Sequence, residues 1–367
     1  MKIKSKRIYW IDALKAISIF LVFYAHISAD IPNQESTVAF KQVKFIYSFH
    51  MPVFFFLSGL FYKRRYQTFK KEISTLFYKR IIPAFFFSIA MIPFLMIYQY
   101  SNFGYIHYRE LIKKTLHFLH GETELNYTTW FLVCLFTTEV LAIFIFSKFK
   151  KSYQKAIAAT LTTSLGLILT NKYHIFEPYL GIHLNTWYLH ESLVALGFYT
   201  MGHLTIKQLY ELPKMNVILR GVFAVLFSAL TIFTFDLNNP FPEFVVIMKV
   251  SSHGSSIYFI LTAIFGILAT LFIATLIPKT TFISFLGKNT LILLGLNGFL
   301  ITFLNPYLAT NCPNLDSAIW LTGYLTITSM ASILICFPII YILNKFIPQL
   351  VGNPFQKGPL LPSFDKL

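Results

Sequence analysis

Apolar positions along the chain fall into ten continuous runs, and short polar segments separate each run from the next. A helix needs about 20 apolar residues to cross the hydrocarbon core of a bilayer, and every run is close to that length. No gap between two runs is long enough to hold a soluble domain. The runs predict membrane-spanning helices at 9–27, 43–62, 81–100, 130–147, 154–171, 187–206, 217–236, 256–277, 284–304 and 318–344.

The pattern therefore predicts an all-α fold, a polytopic membrane bundle of about ten helices. It assigns residues 1–345 to one membrane domain and residues 346–367 to a short cytoplasmic tail. The composition agrees, because 56% of the residues are hydrophobic and only 13% are charged, whereas soluble domains average about 25% charged residues. The three cysteines have no spacing typical of a disulfide framework or a zinc site.

The positive charges indicate how the bundle is oriented. Most of the 31 Lys and Arg residues lie in alternate loops, beginning with the segment before the first run. Loops rich in Lys and Arg stay on the cytoplasmic side, so we expect a multi-pass protein of a bacterial cell membrane with both termini in the cytoplasm. The net charge of +16 would suit a nucleic-acid partner only on a basic soluble module. None is visible, so we expect a lipid bilayer and no nucleic acid.

The first run carries three ionisable residues on one helical face. At 100° per residue, Lys15 and His26 return to within about 20° of each other, and Asp12 lies about 60° away. The two basic groups are then roughly 16 Å apart along the axis. Charged residues at membrane depth usually face the bundle interior or an aqueous cavity. Asp12 and Lys15 would also be explained by a pair that neutralises itself near the cytoplasmic edge.

The second run, "YSFHMPVFFFLSGLFY" at 47–62, combines a histidine with a helix irregularity. Pro52 removes a backbone donor and so starts or kinks a helix. Irregular backbone at membrane depth normally lines a cavity or is buried in protein, which makes His50, just before the proline, a candidate site residue. The small pair Ser58-Gly59 is better explained by close helix packing, since no nucleophile elbow is present.

These two segments together closely resemble the acyltransferase-3 family of integral-membrane acyltransferases. The hallmark of that family is Arg or Lys, ten further residues and then His in the first helix, and Lys15 and His26 match this spacing. The run around His50 matches the second helix of the family. Two further segments resemble later family motifs, "WFLVCLF" at 130–136 and "FLGKNTLILLGLNGF" at 285–299. The resemblance covers residues 7 to about 300.

The resemblance implies an enzyme that moves an acetyl or succinyl group from a cytoplasmic acyl-CoA to a hydroxyl of a cell-surface or exported glycan. The acyl-CoA would be a donor substrate, and we expect no permanently bound cofactor. The chain has Lys15 where most members have Arg, Phe77 where they have a first basic residue, and Asn297 where they often have His. These departures indicate a subgroup of the family, and the sequence resembles the branch that contains intercellular-adhesin and fucose 4-O-acetylase-like proteins.

Roles for individual residues follow from what acyl transfer requires, namely a base, stabilisation of the oxyanion and a grip on the donor. We expect catalytic roles for His26, Lys15, Asp12 and His50. The basic residues Arg64, Arg65, Lys79 and Arg80 would bind the phosphates of the donor, although topology alone also explains them. The glycan would contact Trp130, Glu139, His190 and Glu191, for which an aromatic belt or ordinary packing is the alternative.

Two other interpretations remain open at this stage. His117, His120, Glu122 and Glu124 have metal-ligand chemistry, but the spacing is not diagnostic and a solvated loop is the simpler explanation, so we predict no metal site. An exporter or flippase for a polysaccharide or lipid-linked glycan would also suit ten aromatic-rich helices. Such a protein needs neither the shared face of Lys15 and His26 nor an acyl donor.

Overall fold

The computed structural model describes most of the chain, and the part that it describes is helical. Within those residues there is no β-strand, which confirms the predicted all-α fold. An isolated pair of backbone hydrogen bonds between Ile247 and Ser252 closes a tight turn in one loop. The described residues are 8–31, 36–63, 68–171, 186–241, 244–312 and 317–364.

The helices of the described ranges fall into long membrane-length elements and a few short ones. They are α1 (Tyr9–Ala29), α2 (Thr37–Tyr47), α3 (His50–Leu60), α4 (Phe69–Phe103), α5 (Tyr108–His117), α6 (Trp130–Lys148), α7 (Ser152–Asn171), α8 (Leu189–Leu209), α9 (Val217–Phe235), α10 (Ser256–Leu276), α11 (Thr281–Lys288), α12 (Thr290–Phe303), α13 (Asn305–Thr310) and α14 (Ala318–Phe346).

Length and hydropathy support a polytopic membrane protein. Within the described residues, seven helical segments are long and apolar enough to cross a bilayer, and the bent pair α11–α12 makes an eighth. The helices α7 and α8 have 20 and 21 residues and coincide with the remaining two predicted spans. Every predicted span therefore overlaps a helix or a broken pair of helices, within a few residues at most ends.

Two spans are broken where polar residues interrupt the apolar pattern. The second span begins earlier than predicted, because the hydroxyl of Ser36 accepts a bond from Ala39 N–H and caps α2. It then breaks between α2 and α3, and Pro52 lies in the first turn of α3, where its missing N–H costs nothing. The pair α11–α12 bends by 76° at Asn289, whose side chain bonds Phe285 O and Asn344.

The first helix is the centre of the bundle. It packs against α2 and α3 on one side and against α10, α11, α12 and α14 on the other, and most of its length is buried. The approach of α11 is so close that a Cβ atom on Gly287 would lie 2.6 Å from the backbone oxygen of Asp12. By contrast, α9 is peripheral, and its Ile218 and Val225 are more than two-thirds exposed, as expected for side chains that face lipid.

The residues after the last span fold back onto the bundle. A 3₁₀ turn at Pro348–Val351 follows α14 and packs against α4, and Gln349 within it is fully buried. Further along, the ring of Phe364 lies 5.2 Å from that of Tyr78. The segment predicted as a tail is therefore packed against α4 as far as residue 364, and its last residues lie outside the described ranges.

Candidate active site

Two cavities open between the helices, and α1 contributes to both. The first, which we call the Lys15 cleft, contains about 1230 Å³ of empty space, including solvent at its mouth. It lies between α1, α3, α4, α6 and the start of α12. Its charged lining residues, within the described part of the chain, are Lys15, Lys63, Glu72, Lys79, Arg80 and Glu139.

The second cavity, which we call the His26 cavity, contains about 1560 Å³ measured in the same way. It is bounded by the last turn of α1, by α2 and the start of α3, by the segment before α6 and by the loop before α10. Its polar and aromatic lining residues include His26, Ser28, Tyr47, His50, Tyr127, Thr128, Trp130 and Lys249.

Met51 and Leu294 line both cavities and form the partition between them. Both side chains are buried. The partition is fixed on one side, because Thr128 donates its hydroxyl to Leu294 O at 2.8 Å and Asn126 donates its side-chain amide to Gly295 O at 2.9 Å. Lys15 therefore faces one cavity and His26 the other, with a thin apolar wall between the two spaces.

The Lys15 cleft gathers residues for which the sequence predicted different roles. The guanidinium of Arg80 donates two hydrogen bonds of 2.9 Å to the two carboxylate oxygens of Glu139. Arg80 was expected to bind the donor and Glu139 the glycan, yet both line this cleft. The Nζ of Lys79 lies 5.9 Å from the ring centroid of Phe355, in the folded-back segment. The Nζ of Lys15 lies 4.5 Å from that of Phe61.

Asp12 lies one turn before Lys15 and is buried where α11 crosses α1. It does not line either of the two cavities. Arg64 and Arg65, which were predicted to bind the donor, lie outside the described residues. Lys63, next to them in sequence, does line the cleft.

The His26 cavity brings the two predicted histidines together around a tyrosine that the sequence did not single out. Tyr47 Oη lies 3.3 Å from Nδ1 of His26, and its ring lies 5.0 Å from that of His50. Nδ1 of His50 lies 2.9 Å from Ile46 O. A carbonyl oxygen only accepts, so Nδ1 of His50 carries the proton, and in the neutral ring Nε2 holds the lone pair. That nitrogen has the chemistry of a general base.

The loop before α10, which lines this cavity, is anchored by buried contacts to a carboxylate. Glu191 in the first turn of α8 receives a hydrogen bond of 3.0 Å from Ser251 Oγ. Its carboxylate also lies 3.1 Å from Nε2 of His253, and both side chains are fully buried. The same loop, which precedes α10, contributes five residues to the lining of the cavity: Val245, Val246, Ile247, Met248 and Lys249.

Of the remaining residues predicted to bind glycan, Trp130 lines the His26 cavity, where its ring lies 5.7 Å from that of Tyr188. His190 is buried beside Glu191 at the start of α8 and lines neither cavity. Glu191 is likewise occupied with the loop rather than turned to a cavity. Tyr47 and Lys249 are among the cavity residues that sequence reasoning missed, although Tyr47 stands three residues before His50 in the quoted motif.

The comparison with known proteins identifies the family of this chain. The acyltransferase-3 family model, described as an acyltransferase domain, matches residues 8–342. The chain belongs to the acyltransferase-3 family. It is therefore a membrane acyltransferase, and the family match supports an enzyme rather than an exporter. No curated protein and no solved structure shows a significant match to it.

Within this acyltransferase-3 protein, the described residues include a further polar group that lines neither of the two cavities. Nδ1 of His117 lies 2.5 Å from Glu124 Oε1 and 3.2 Å from Glu122 Oε2. These three offer ligand atoms within 4.8 Å of one another, whereas His120 is not part of the group. All three are partly or fully exposed, and their contacts are explained by a hydrogen-bonded turn after α5.

Proposed function

We propose that this acyltransferase moves an acetyl or succinyl group from acyl-CoA to a hydroxyl of a cell-surface or exported glycan. The donor enters the Lys15 cleft from the cytoplasm, and the acceptor enters the His26 cavity from the opposite side. Both termini lie in the cytoplasm in this arrangement, and the membrane is the bacterial cell membrane.

The charge of the Lys15 cleft supports its assignment to the donor. Lys15, Lys63 and Lys79 bring three ammonium groups to one cleft, and Lys63 and Lys79 belong to the segment between the second and third spans, which is predicted to be cytoplasmic. Acyl-CoA carries several phosphates, and ammonium groups bind phosphate through charge-assisted hydrogen bonds. Because Arg80 donates two hydrogen bonds to Glu139, we assign it to the shape of the cleft.

The reaction is an acyl transfer in which one thioester becomes one ester. The hydroxyl oxygen of the sugar attacks the thioester carbon while Nε2 of an imidazole, His50 or His26, accepts the hydroxyl proton. The carbon–sulfur bond then breaks, and the CoA sulfur takes up a proton, which the imidazolium can return. Proton transfer by a positioned base of this kind contributes about 10²–10⁴-fold to a rate.

One observation carries the proposal: Lys15 and His26 line two cavities that share Met51 and Leu294 as lining residues within the described part of the chain. A long flexible donor reaches an imidazole on the far side if its acyl arm passes this apolar partition. The distance of roughly 16 Å between Lys15 and His26 along α1 is of the order that such an arm spans. No relay through a covalent acyl-enzyme is then required.

The experiment uses sealed vesicles that contain the full-length protein and a glycan acceptor. Labelled acyl-CoA is supplied on the side of the termini, and label on the glycan is measured for the wild type, His26→Ala and His120→Ala. His120 is an exposed histidine and serves as the matched control. We expect label with the wild type and with His120→Ala and none with His26→Ala. Equal labelling by all three proteins would contradict the proposed site.

The same preparation tests the orientation of the protein in the membrane and the alternative function, export of the glycan. Supplying the donor to the opposite face should give no label, since acyl-CoA does not cross a bilayer. An exporter for the glycan would change where the glycan is found and leave its ester content unaltered.

A further inference from the structure

The His26 cavity contains a single ammonium group whose charge the described lining residues do not balance. Lys249 lies on the loop before α10 and is partly buried, and its Nζ stands 4.8 Å from the ring centroid of Tyr127. Among the described residues, no carboxylate forms an ion pair with it. The described lining of this cavity includes neither Asp nor Glu, whereas Glu72 and Glu139 line the Lys15 cleft.

The surroundings of Lys249 make its charge costly. Burial lowers the pKa of Lys249, and the nearby charge of Glu124 only partly opposes this shift. Glu124 is itself bonded to His117. Loss of water around a cation is costly unless a partner compensates for it. The ring of Tyr127 and the charge of Glu124 compensate only in part, so the placement of Lys249 beside a cavity calls for a functional explanation.

The loop that carries Lys249 is fixed, so the ammonium group is presented in one place. Ile247 and Ser252 exchange two backbone hydrogen bonds of 2.9 and 3.1 Å, and a 3₁₀ turn at Met248–Val250 lies between them. The same loop is tied to α8 through Ser251 and His253, which bond Glu191. A preorganised charge binds a ligand without first losing conformational entropy.

We propose that Lys249 binds an anionic group, a carboxylate or a phosphate, of the substrate in the His26 cavity. This inference rests on the proposed function and narrows its substrate class. Two sources provide such a group close to the imidazoles: an acidic or phosphorylated acceptor sugar, or the free carboxylate of a succinyl group. Lys249 and Tyr127 both line the cavity, and an ammonium group there attracts either anion.

The test compares Lys249→Gln with wild type, with Lys249→Arg and with Lys113→Gln. Lys113 is an exposed lysine of α5 and controls for the loss of one positive charge. The full-length protein in vesicles is given acetyl-CoA or succinyl-CoA together with a neutral glucose oligomer or the same oligomer ending in glucuronate. The ratio kcat/KM is measured for all four pairs.

A hydrogen bond to a charged group contributes about 1.5–3 kcal/mol, so Lys249→Gln should lower kcat/KM at least tenfold for the pairs that contain the recognised anion. Lys249→Arg should keep most of the activity. Loss confined to glucuronate places the anion on the acceptor, and loss confined to succinyl-CoA places it on the acyl group. The inference would be overturned if Lys249→Gln also lowered kcat/KM for acetyl-CoA with the neutral oligomer, a pair without the anion. It would also be overturned if Lys249→Gln and Lys113→Gln gave the same kcat/KM for every pair.

Anion binding is measured separately from acyl transfer, so that failure of the anion site can be distinguished from failure of the proposed function. Thermal unfolding of the detergent-solubilised protein is followed with glucuronate, succinate or glucose at equal ionic strength. Stabilisation of the wild type by either anion, and not of Lys249→Gln, supports the anion site even if no donor yields acyl transfer. An identical response of the two proteins overturns it, whether or not transfer is observed.

Discussion

Arg80 and Glu139 are joined by two parallel hydrogen bonds of 2.9 Å between α4 and α6, at the wall of the Lys15 cleft. The arginine side chain is 24% exposed and the glutamate 8%. Bidentate geometry of this kind fixes both side chains. The pair therefore sets the distance between two helices that enclose the cleft.

Breaking this pair should destabilise the protein. Glu139→Gln leaves a half-buried guanidinium without its carboxylate, and removal of one partner of a buried pair costs about 3–5 kcal/mol. Because Arg80 is partly exposed, we expect the lower end of that range. Thermal unfolding in detergent measures the loss, and Arg80→Met with Glu139→Leu should recover most of it. If Glu139→Gln were as stable as the wild type, the Arg80–Glu139 pair would not contribute to the stability of the fold.

Asparagine substitutions should show which of the two imidazoles, His50 or His26, is the general base. In His50→Asn the amide still donates to Ile46 O but provides no basic nitrogen in place of Nε2, so the fold should persist while turnover falls. If His50 is the base, we expect a loss in kcat of about 10²–10⁴-fold, measured as labelled acyl transfer. His26→Asn, assayed in parallel, identifies the base as the variant with the larger loss. Wild-type turnover in both would exclude a general-base role for either.

Tyr47 should act as a positioning residue. Tyr47→Phe keeps the ring between the two imidazoles and removes the hydroxyl that lies 3.3 Å from His26 Nδ1. Loss of a partner that orients a metal-bound histidine typically costs 10–100-fold. His26 is oriented here by one long contact, so we expect about a tenfold fall in kcat, the lower end of that range, with little change in KM. A change in KM alone would mean that the hydroxyl contacts substrate and does not orient His26.

The partition between the cavities should limit leakage across the membrane. Leu294→Ala and Met51→Ala each remove part of the only apolar wall that the described residues place between the two spaces. We expect faster proton entry into protein-containing vesicles, read with a pH-sensitive dye enclosed in them. Leu271→Ala is the control, since Leu271 is fully buried in α10 and lines neither cavity. Equal leakage by all of the variants would mean that the wall lies elsewhere.

The apolar periodicity was sufficient to predict the helices, and helical geometry was sufficient to place Lys15 and His26 on one face. It did not predict that a wall separates them, because Met51 and Leu294 are ordinary apolar residues in their own runs. The pairing of Arg80 with Glu139 depends on how α4 and α6 meet, which no local pattern encodes. Lys249 belongs to no sequence motif, and its place beside the cavity depends on the anchoring of its loop by Glu191.

The position of α1 has a consequence for how the chain is made. Several helices that pack against α1 are synthesised late: α10, α11, α12 and α14. The first helix therefore lacks these contacts during most of synthesis. During that interval Asp12 sits in a membrane or insertion channel without the helix α11 that packs against it in the complete protein, and a charge at the bilayer centre costs about 2.5–3.5 kcal/mol. A ribosome that stops before α10 therefore releases a chain whose reactive helix is still unprotected, a natural target for membrane quality control.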